Sequence, residues 1–187
     1  MKNEVTIGNQ VWMIENLNVD KFRNGDPIPH AKTDEEWNSA GFNQQPAWCY
    51  YGNDPANAAK YGKLYNWYAV NDPRGLAPEG WHVPSEDEWT VLTNALGGDD
   101  AGTKMKSTNG WNEDGNGTNT SGFSGLPGGT RFGSGSFGSL GKIGFWWSSP
   151  EYSTSNARCR SLFYPIGSVS RHDSNKDLGL SVRCLRD

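Results

Sequence analysis

A chain of 187 residues has the scale of one domain, and at that length folding buries roughly 70% of the unfolded surface, enough for a core without staples. Only 34% of the residues are hydrophobic while glycine reaches 24, so nine Trp, seven Tyr and seven Phe must carry the core; each buried aromatic removes about 150–250 Å² from water. A net charge of -4 excludes a basic nucleic-acid footprint, and no run approaches the ~18 apolar residues of a membrane span. The start, Met1 to Ile7, lacks the apolar stretch of a secretory signal. Three cysteines, Cys49, Cys159 and Cys184, permit one disulfide with one thiol left over, or three thiols, and no CxxC pair is present for zinc or redox work.

In chain order, Val5-Thr6-Ile7 and Val11-Trp12-Met13-Ile14 flank Gly8-Asn9-Gln10, a hairpin signal. Pro27 and Pro29 make the next segment an extended loop. Thr33 and Glu36 form a capping-box pair that starts a short helix, with Gly41 as its expected stop. The run Tyr61 to Val70 suits either strand or one short buried helix. The strongest helix starts at Ser85, with Glu88 as its capping partner and Trp89, Leu92, Thr93 and Leu96 on one face. Gly97-Gly98 ends it. Residues 99–140 are rich in Gly, Asn, Ser and Thr and read as a long ordered insertion pinned by Trp111, Phe123, Leu126, Phe132 and Phe137. Short strands and long structured loops argue against a helical bundle.

Six phrases carry a resemblance over nearly the whole chain: Val11 to Leu17, Tyr61 to Val70, Gly80 to Pro84, Leu126 to Gly129, Trp146 to Ser149 and Ser181 to Asp187. In this order they resemble the Fibrobacter succinogenes major paralogous domain. The resemblance implies one α+β, C-type-lectin-like domain over 1–187, of the formylglycine-generating-enzyme type, with two helices, short twisted antiparallel sheets and long ordered loops. It also implies an extracellular, cell-surface or phage-particle setting. Some relatives are variable proteins of diversity-generating retroelements, in which a C-terminal segment is rewritten at adenine-templated codons.

The last segment, 144–187, has the texture such rewriting would leave. On Ala157 to Tyr164, alternation puts Arg160, Leu162 and Tyr164 on one side, as frame, and Cys159, Ser161 and Phe163 on the other. After the turn Pro165-Ile166-Gly167, Val169 and Arg171 continue the frame, and Ser168, Ser170 and His172 the opposite side. In relatives the second set is often Asn or Tyr, and the residues found here are reachable from an Asn codon by changing its adenines. The expected contact surface is Tyr152, Ser153, Thr154, Ser155, Arg158, Cys159, Ser161, Phe163, Pro165, Ile166, Gly167, Ser168, Ser170, His172, Asp173, Ser174 and Leu178. Exposed Phe163 and Ile166 among small polar residues have the make-up of a paratope; a solvated sheet face is the plainer alternative.

No catalytic or metal constellation emerges. The formylglycine-generating enzymes need two cysteines close in sequence, and Cys159 and Cys184 are far apart. With Cys159 at a variable position, a folding pair would be Cys49–Cys184; three buried thiols are the equal alternative. His30, His82 and His172 are scattered, and His82 is expected to be a buried structural residue. Asn112, Asp114, Asn116 and Gly117 resemble part of a calcium loop, but Phe123 stands where its closing acid belongs. Trp146 and Trp147 must point to opposite sides of a strand, so at least one is core. The expected function is non-enzymatic binding, without metal or cofactor, of a protein or glycan on another cell or surface. An invariant carbohydrate-binding module or adhesin with exposed Trp and Tyr platforms is the alternative.

Overall fold

The computed structural model describes residues 3–187. The first two β-rich runs pair as β1 (Glu4–Ile7) and β2 (Gln10–Met13), with Ile7 opposite Gln10. Gly8 turns between them at φ 62°, a left-handed conformation that favours glycine. Both capping boxes form. Thr33 Oγ1 accepts from the Glu36 amide at the start of α1 (Asp34–Phe42). Ser85 Oγ accepts from the Glu88 amide at the start of the longest helix (Glu86–Ala95). Gly41 does not stop α1: the helix runs one residue further and Asn43 caps it.

The ambiguous run at 61–70 contains both alternatives. A two-residue bridge joins β3 (Trp48–Cys49) to β4 (Leu64–Tyr65). Between them in sequence lies a helical turn, α2 (Ala58–Tyr61). After β4 comes the turn α3 (Trp67–Val70), capped by the buried Asn66, whose Oδ1 accepts from the Ala69 amide. Then follow β5 (Trp81–His82) and the Ser85-capped helix, α4. The 99–140 segment is ordered, as expected, but it is more than loop. It contains α5 (Ala101–Met105), β6 (Gly128–Arg131) and β7 (Phe137–Leu140). Its pins differ in depth: Trp111 and Phe123 are buried, Leu126 and Phe137 half-buried, and Phe132 is exposed.

The last third supplies β8 (Ile143–Glu151), β9 (Asn156–Phe163), β10 (Val169–Asn175) and β11 (Leu185–Arg186). One sheet has the order β10-β9-β8-β6-β7, antiparallel except where Gly129 on β6 meets Gly144 on β8. A second has the order β1-β2-β11-β5, so the C-terminal strand lies between β2 and β5. The observed class is thus α+β, with mainly antiparallel sheets, two principal helices and long loops.

Strand β8 organises the interior. Trp146 and Trp147 point to opposite sides, and both are buried. Trp146 joins Trp12, Trp89, Leu92, Phe123 and Leu162 beneath α4. Trp147 joins Tyr65, Ala157, Cys159, Leu180, Val182 and Cys184 on the other face. Each indole N–H is paired inside, Trp146 Nε1 with Asn16 Oδ1 (2.9 Å) and Trp147 Nε1 with the Tyr65 carbonyl (2.8 Å). The buried Arg183 also donates to Asn16 Oδ1 (2.6 Å from Nη2) and to the Phe123 carbonyl, and it lies over the Phe123 ring. Among the described residues no carboxylate is hydrogen-bonded to it, and burial, only partly opposed by the charge of Glu15, lowers its pKa to about 9.

His82 is not the buried structural residue expected. It is half-exposed, and its ring spans two carboxylates: Nδ1 is 2.7 Å from Asp187 Oδ1 and Nε2 2.9 Å from Glu88 Oε1. Partial burial opposes charge on the ring, but the hydrogen bonds to Asp187 and Glu88 outweigh it and raise the pKa. Burial likewise opposes charge on Glu88, where hydrogen bonds from Ser85 and His82 prevail and lower the pKa.

Trp147→Ala removes a fully buried indole and is expected to cost about 3–5 kcal/mol, read as a lower urea midpoint. The His82 clamp acts in a defined pH window. With a raised folded pKa, it contributes its full stability below the ordinary histidine value of about 6.5 and loses it as pH rises through the folded value. Glu88, with a lowered folded pKa, contributes above the ordinary carboxylate value and loses that contribution as pH falls through its folded value. Urea midpoints across about pH 6–9 should therefore fall more steeply in the wild type than in His82→Gln; parallel curves would refute the clamp.

Candidate functional site

The register of β8, β9 and β10 sorts the last third into rows. Phe145, Ser161 and Ser170 make one row, Trp147, Cys159 and His172 the next, and Ile143 with Phe163 a third. Directly paired residues share a face, so these rows form one face of the sheet. Gly144, Leu162 and Val169, with Trp146, Arg160 and Arg171, form the other.

The second face is closed by α4. Arg160 Nη2 donates to Glu86 Oε2 (3.1 Å), the Glu86 carbonyl (3.2 Å) and Thr90 Oγ1 (3.0 Å). Leu162 is buried, while Tyr164 and Val169 are half-buried against the same cluster. Arg171 departs from the expected frame: it is exposed on β10, the edge strand. At an edge, alternation sets a direction but no neighbouring element covers the side chain.

The first face is covered only in part. Trp147, Ala157 and Cys159 lie beneath the Tyr65–Val182 core. Beyond them the sheet opens into a cleft of about 430 Å³. Ile143, Phe145, Ser161, Phe163, Ser170, His172, Asp173 and Ser174 line it from the sheet. Thr130, Phe132 and Ser139 contribute from the β6–β7 hairpin, Ile166 from the β9–β10 turn, and Leu178 and Leu180 from the segment that follows β10. Lys106 fixes that turn from behind. Its buried Nζ donates to the carbonyls of Phe163 (3.3 Å), Tyr164 (3.1 Å) and Ile166 (3.0 Å), and burial lowers its pKa.

Much of the polar lining is already engaged. Ser161 Oγ is 2.9 Å from His172 Nε2, Ser174 Oγ 3.2 Å from Cys159 Sγ, and Thr130 Oγ1 donates to the Gly179 carbonyl (3.1 Å). Asp173 is paired with Arg158 Nε at 3.5 Å. What the cleft offers is mainly apolar: Phe132, Ile143, Phe145, Phe163, Ile166 and Leu178.

The expected contact residues therefore do not form one surface. Ser161, Phe163, Ile166, Ser170, His172, Asp173, Ser174 and Leu178 meet at the cleft. Thr154 and Ser155 line a different cavity. Arg158 lies over the exposed Tyr152 ring at 4.5 Å, and Ser153 Oγ accepts from the Asn156 amide. Pro165 is exposed at the turn. Gly167 and Ser168 pack against α5, where the Thr103 amide donates to the Gly167 carbonyl (2.9 Å) and Gly102 is closely opposed to both carbonyls. Cys159 and Ser161 are corrections: Cys159 is fully buried, because Trp147 and the core close that part of the face, and Ser161, bonded to His172 at the floor of the cleft, is only 3% exposed. Phe163, expected exposed, is half-buried.

Phe132, Phe145, Ile143, Thr130, Ser139 and Leu180 were missed. Phe145 and Ile143 follow the same alternation one strand earlier and were legible by extending it. Phe132 was expected to pin the insertion and instead lines the cleft, 42% exposed. Nothing local in the sequence marks Lys106 as a clamp.

The three cysteines are unpaired and buried. Burial pushes the thiols of Cys49 and Cys184 up to about 12 and that of Cys159 up to about 11. No group of three or more His, Cys, Asp or Glu side chains among the described residues could hold a metal ion. No helix among them is long and apolar enough to cross a membrane.

Fold and cleft define an α+β protein with an aromatic-floored concavity on one half of its main sheet. Residues 5–186 match the model of the Fibrobacter succinogenes major domain, and the chain belongs to that family. No curated protein matches it.

Buried thiols with raised pKa values are poor nucleophiles. The native protein should therefore leave all three cysteines unlabelled by a thiol-specific disulfide reagent at about pH 8 and yield three thiols once unfolded. Rapid native labelling of Cys159 would contradict its placement.

Proposed function

We propose that the protein is a non-enzymatic binding protein of C-type-lectin-like architecture, with the aromatic cleft as its ligand site and the cleft lining as its exchangeable part. One observation carries the reading. Eight of the expected contact residues line one concavity, four of them (Ser161, Phe163, Ser170 and His172) assigned by alternation, while Arg160 and Leu162 behind them are locked to α4. That division lets the exposed part of the lining, Ile166, His172 and Asp173, change without touching the core, as a retroelement-diversified variable protein requires. A cleft of about 430 Å³ lies within the range of ligand sites, which are largely apolar with a few convergent polar groups. The engaged hydroxyls and the three phenylalanines favour an apolar or aromatic group from a protein partner met at a cell surface or phage particle.

The Ser161–His172 pair does not make a nucleophile of Ser161. A serine–histidine pair needs a third group to orient the base, and among the described residues no carboxylate is hydrogen-bonded to His172. The invariant carbohydrate-module alternative loses its tryptophan platforms. Eight of the nine Trp residues are buried, and the ninth, Trp81, is half-buried beneath Arg186.

Ser170→Tyr and His172→Asn are expected to change stability by less than about 1 kcal/mol, whereas Leu162→Ser should cost about 3 kcal/mol or more. Sequencing the gene across its native population should find substitutions concentrated at Ser161, Phe163, Ile166, Ser170 and His172. An even spread along the chain would refute the variable-protein reading.

A further inference from the structure

A second concavity, of about 390 Å³, lies where the end of α1 meets α3, the β8–β9 turn and the end of β10. Its chemistry is the reverse of the cleft's. The aromatic Phe42 is 86% exposed, the most exposed large hydrophobic side chain among the described residues. Around it stand Asn38, Gln44, Asn175, the Tyr68 hydroxyl, Thr154 and Ser155. Among the described residues, the side chains of Gln44, Asn175 and Tyr68 hydrogen-bond to no protein group, and Asn38 uses only its Nδ2, on the Gly133 carbonyl.

The cavity is built by close approach. A Cβ on Gly41 would meet Asp177 Cβ at 2.8 Å, so glycine at 41 lets the segment after β10 lie against α1. Gln44 holds φ at 54°, a region uncommon for a residue with a side chain, as the chain leaves α1. Charge here is one-sided. Lys176 is committed to Glu151 Oε2 (2.6 Å) and the Thr154 carbonyl (3.0 Å) and lies over the Trp67 ring, so it is no free counter-ion. Asp177 remains, with Oδ1 buried and unpartnered; burial, and after it the Asp177 charge, raise the Tyr68 pKa.

An exposed ring beside several uncommitted amides and hydroxyls, with a carboxylate and no free cation among the described residues, suits a neutral ligand rich in hydroxyls. Each such hydroxyl would find a partner that replaces water, and the ring would cover its apolar face. We propose that this cavity is a sugar-binding subsite, in which a neutral saccharide ring stacks on Phe42 and is hydrogen-bonded by Gln44, Asn175 and Tyr68. The site is independent of the aromatic cleft and its ligand.

The test is an NMR titration of the full chain with the methyl glycosides of glucose, galactose, mannose and N-acetylglucosamine, and with glucuronate as anionic control. At least one neutral glycoside should shift the Phe42, Gln44 and Asn175 signals, with a dissociation constant on the order of 1–10 mM. Glucuronate should bind at least about fivefold more weakly. Phe42→Ala removes an exposed side chain, so it should leave the melting temperature unchanged while weakening binding about fivefold or more. Phe163→Ser in the cleft should leave binding intact. The subsite is refuted if no neutral glycoside moves these signals, if Phe42→Ala binds as tightly as wild type, if glucuronate binds as well as glucose, or if the shifts fall at Phe145 and Phe163 instead.

Discussion

The structure depends on one constraint: two adjacent tryptophans on β8 must both be buried, and a strand sends neighbours to opposite faces. The sheet therefore needs a core on each side at that point. Each core must also accept an indole N–H, since a buried unpaired donor is costly. Asn16 meets the demand on one side and the Tyr65 carbonyl on the other. Asn16 Oδ1 receives Arg183 as well, so one amide oxygen links the N-terminal region, the central strand and the C-terminal segment.

The candidate site follows from where this double coverage stops. One row of the first face, Trp147 with Cys159, lies under the core. The neighbouring row, Phe145 with Ser161 and Ser170, borders the cleft instead, with Ser161 buried at its floor and Phe145 and Ser170 half-buried. The cleft is thus the continuation of a core surface with no element placed on it, which explains its aromatic floor. The cavity beside Phe42 arises differently, from loops and helix ends whose amides and hydroxyls need no sheet partner. Two concavities on one chain so differ in the hydrogen bonds they offer.

Buried cations do for the loops what apolar periodicity does for helices. Arg131 donates to the carbonyls of Gly135, Ala31 and Thr33, and its guanidinium lies over the Trp37 and Phe137 rings. Lys106 gathers three carbonyls at the cleft rim. Loop carbonyls have no ladder to join, and one long donor side chain can satisfy several at once. Glycine-rich segments with few apolar residues are held in place in this way.

Local signals in the sequence determined local structure. Both capping boxes, the Gly8 hairpin and the split of Arg160 and Leu162 from Ser161 and Phe163 were legible, because each rests on neighbours within a few residues. The six family phrases were legible too, and with them the membership that residues 5–186 confirm. Gly41 was misjudged as a stop because its partner is Asp177, far along the chain. Cys159 and Ser161 alternate identically, yet one lies under the core and the other lines the cleft; Phe132 joins them from a distant hairpin. Alternation states which side of a sheet a residue occupies. Only tertiary packing decides whether another part of the chain comes to cover it.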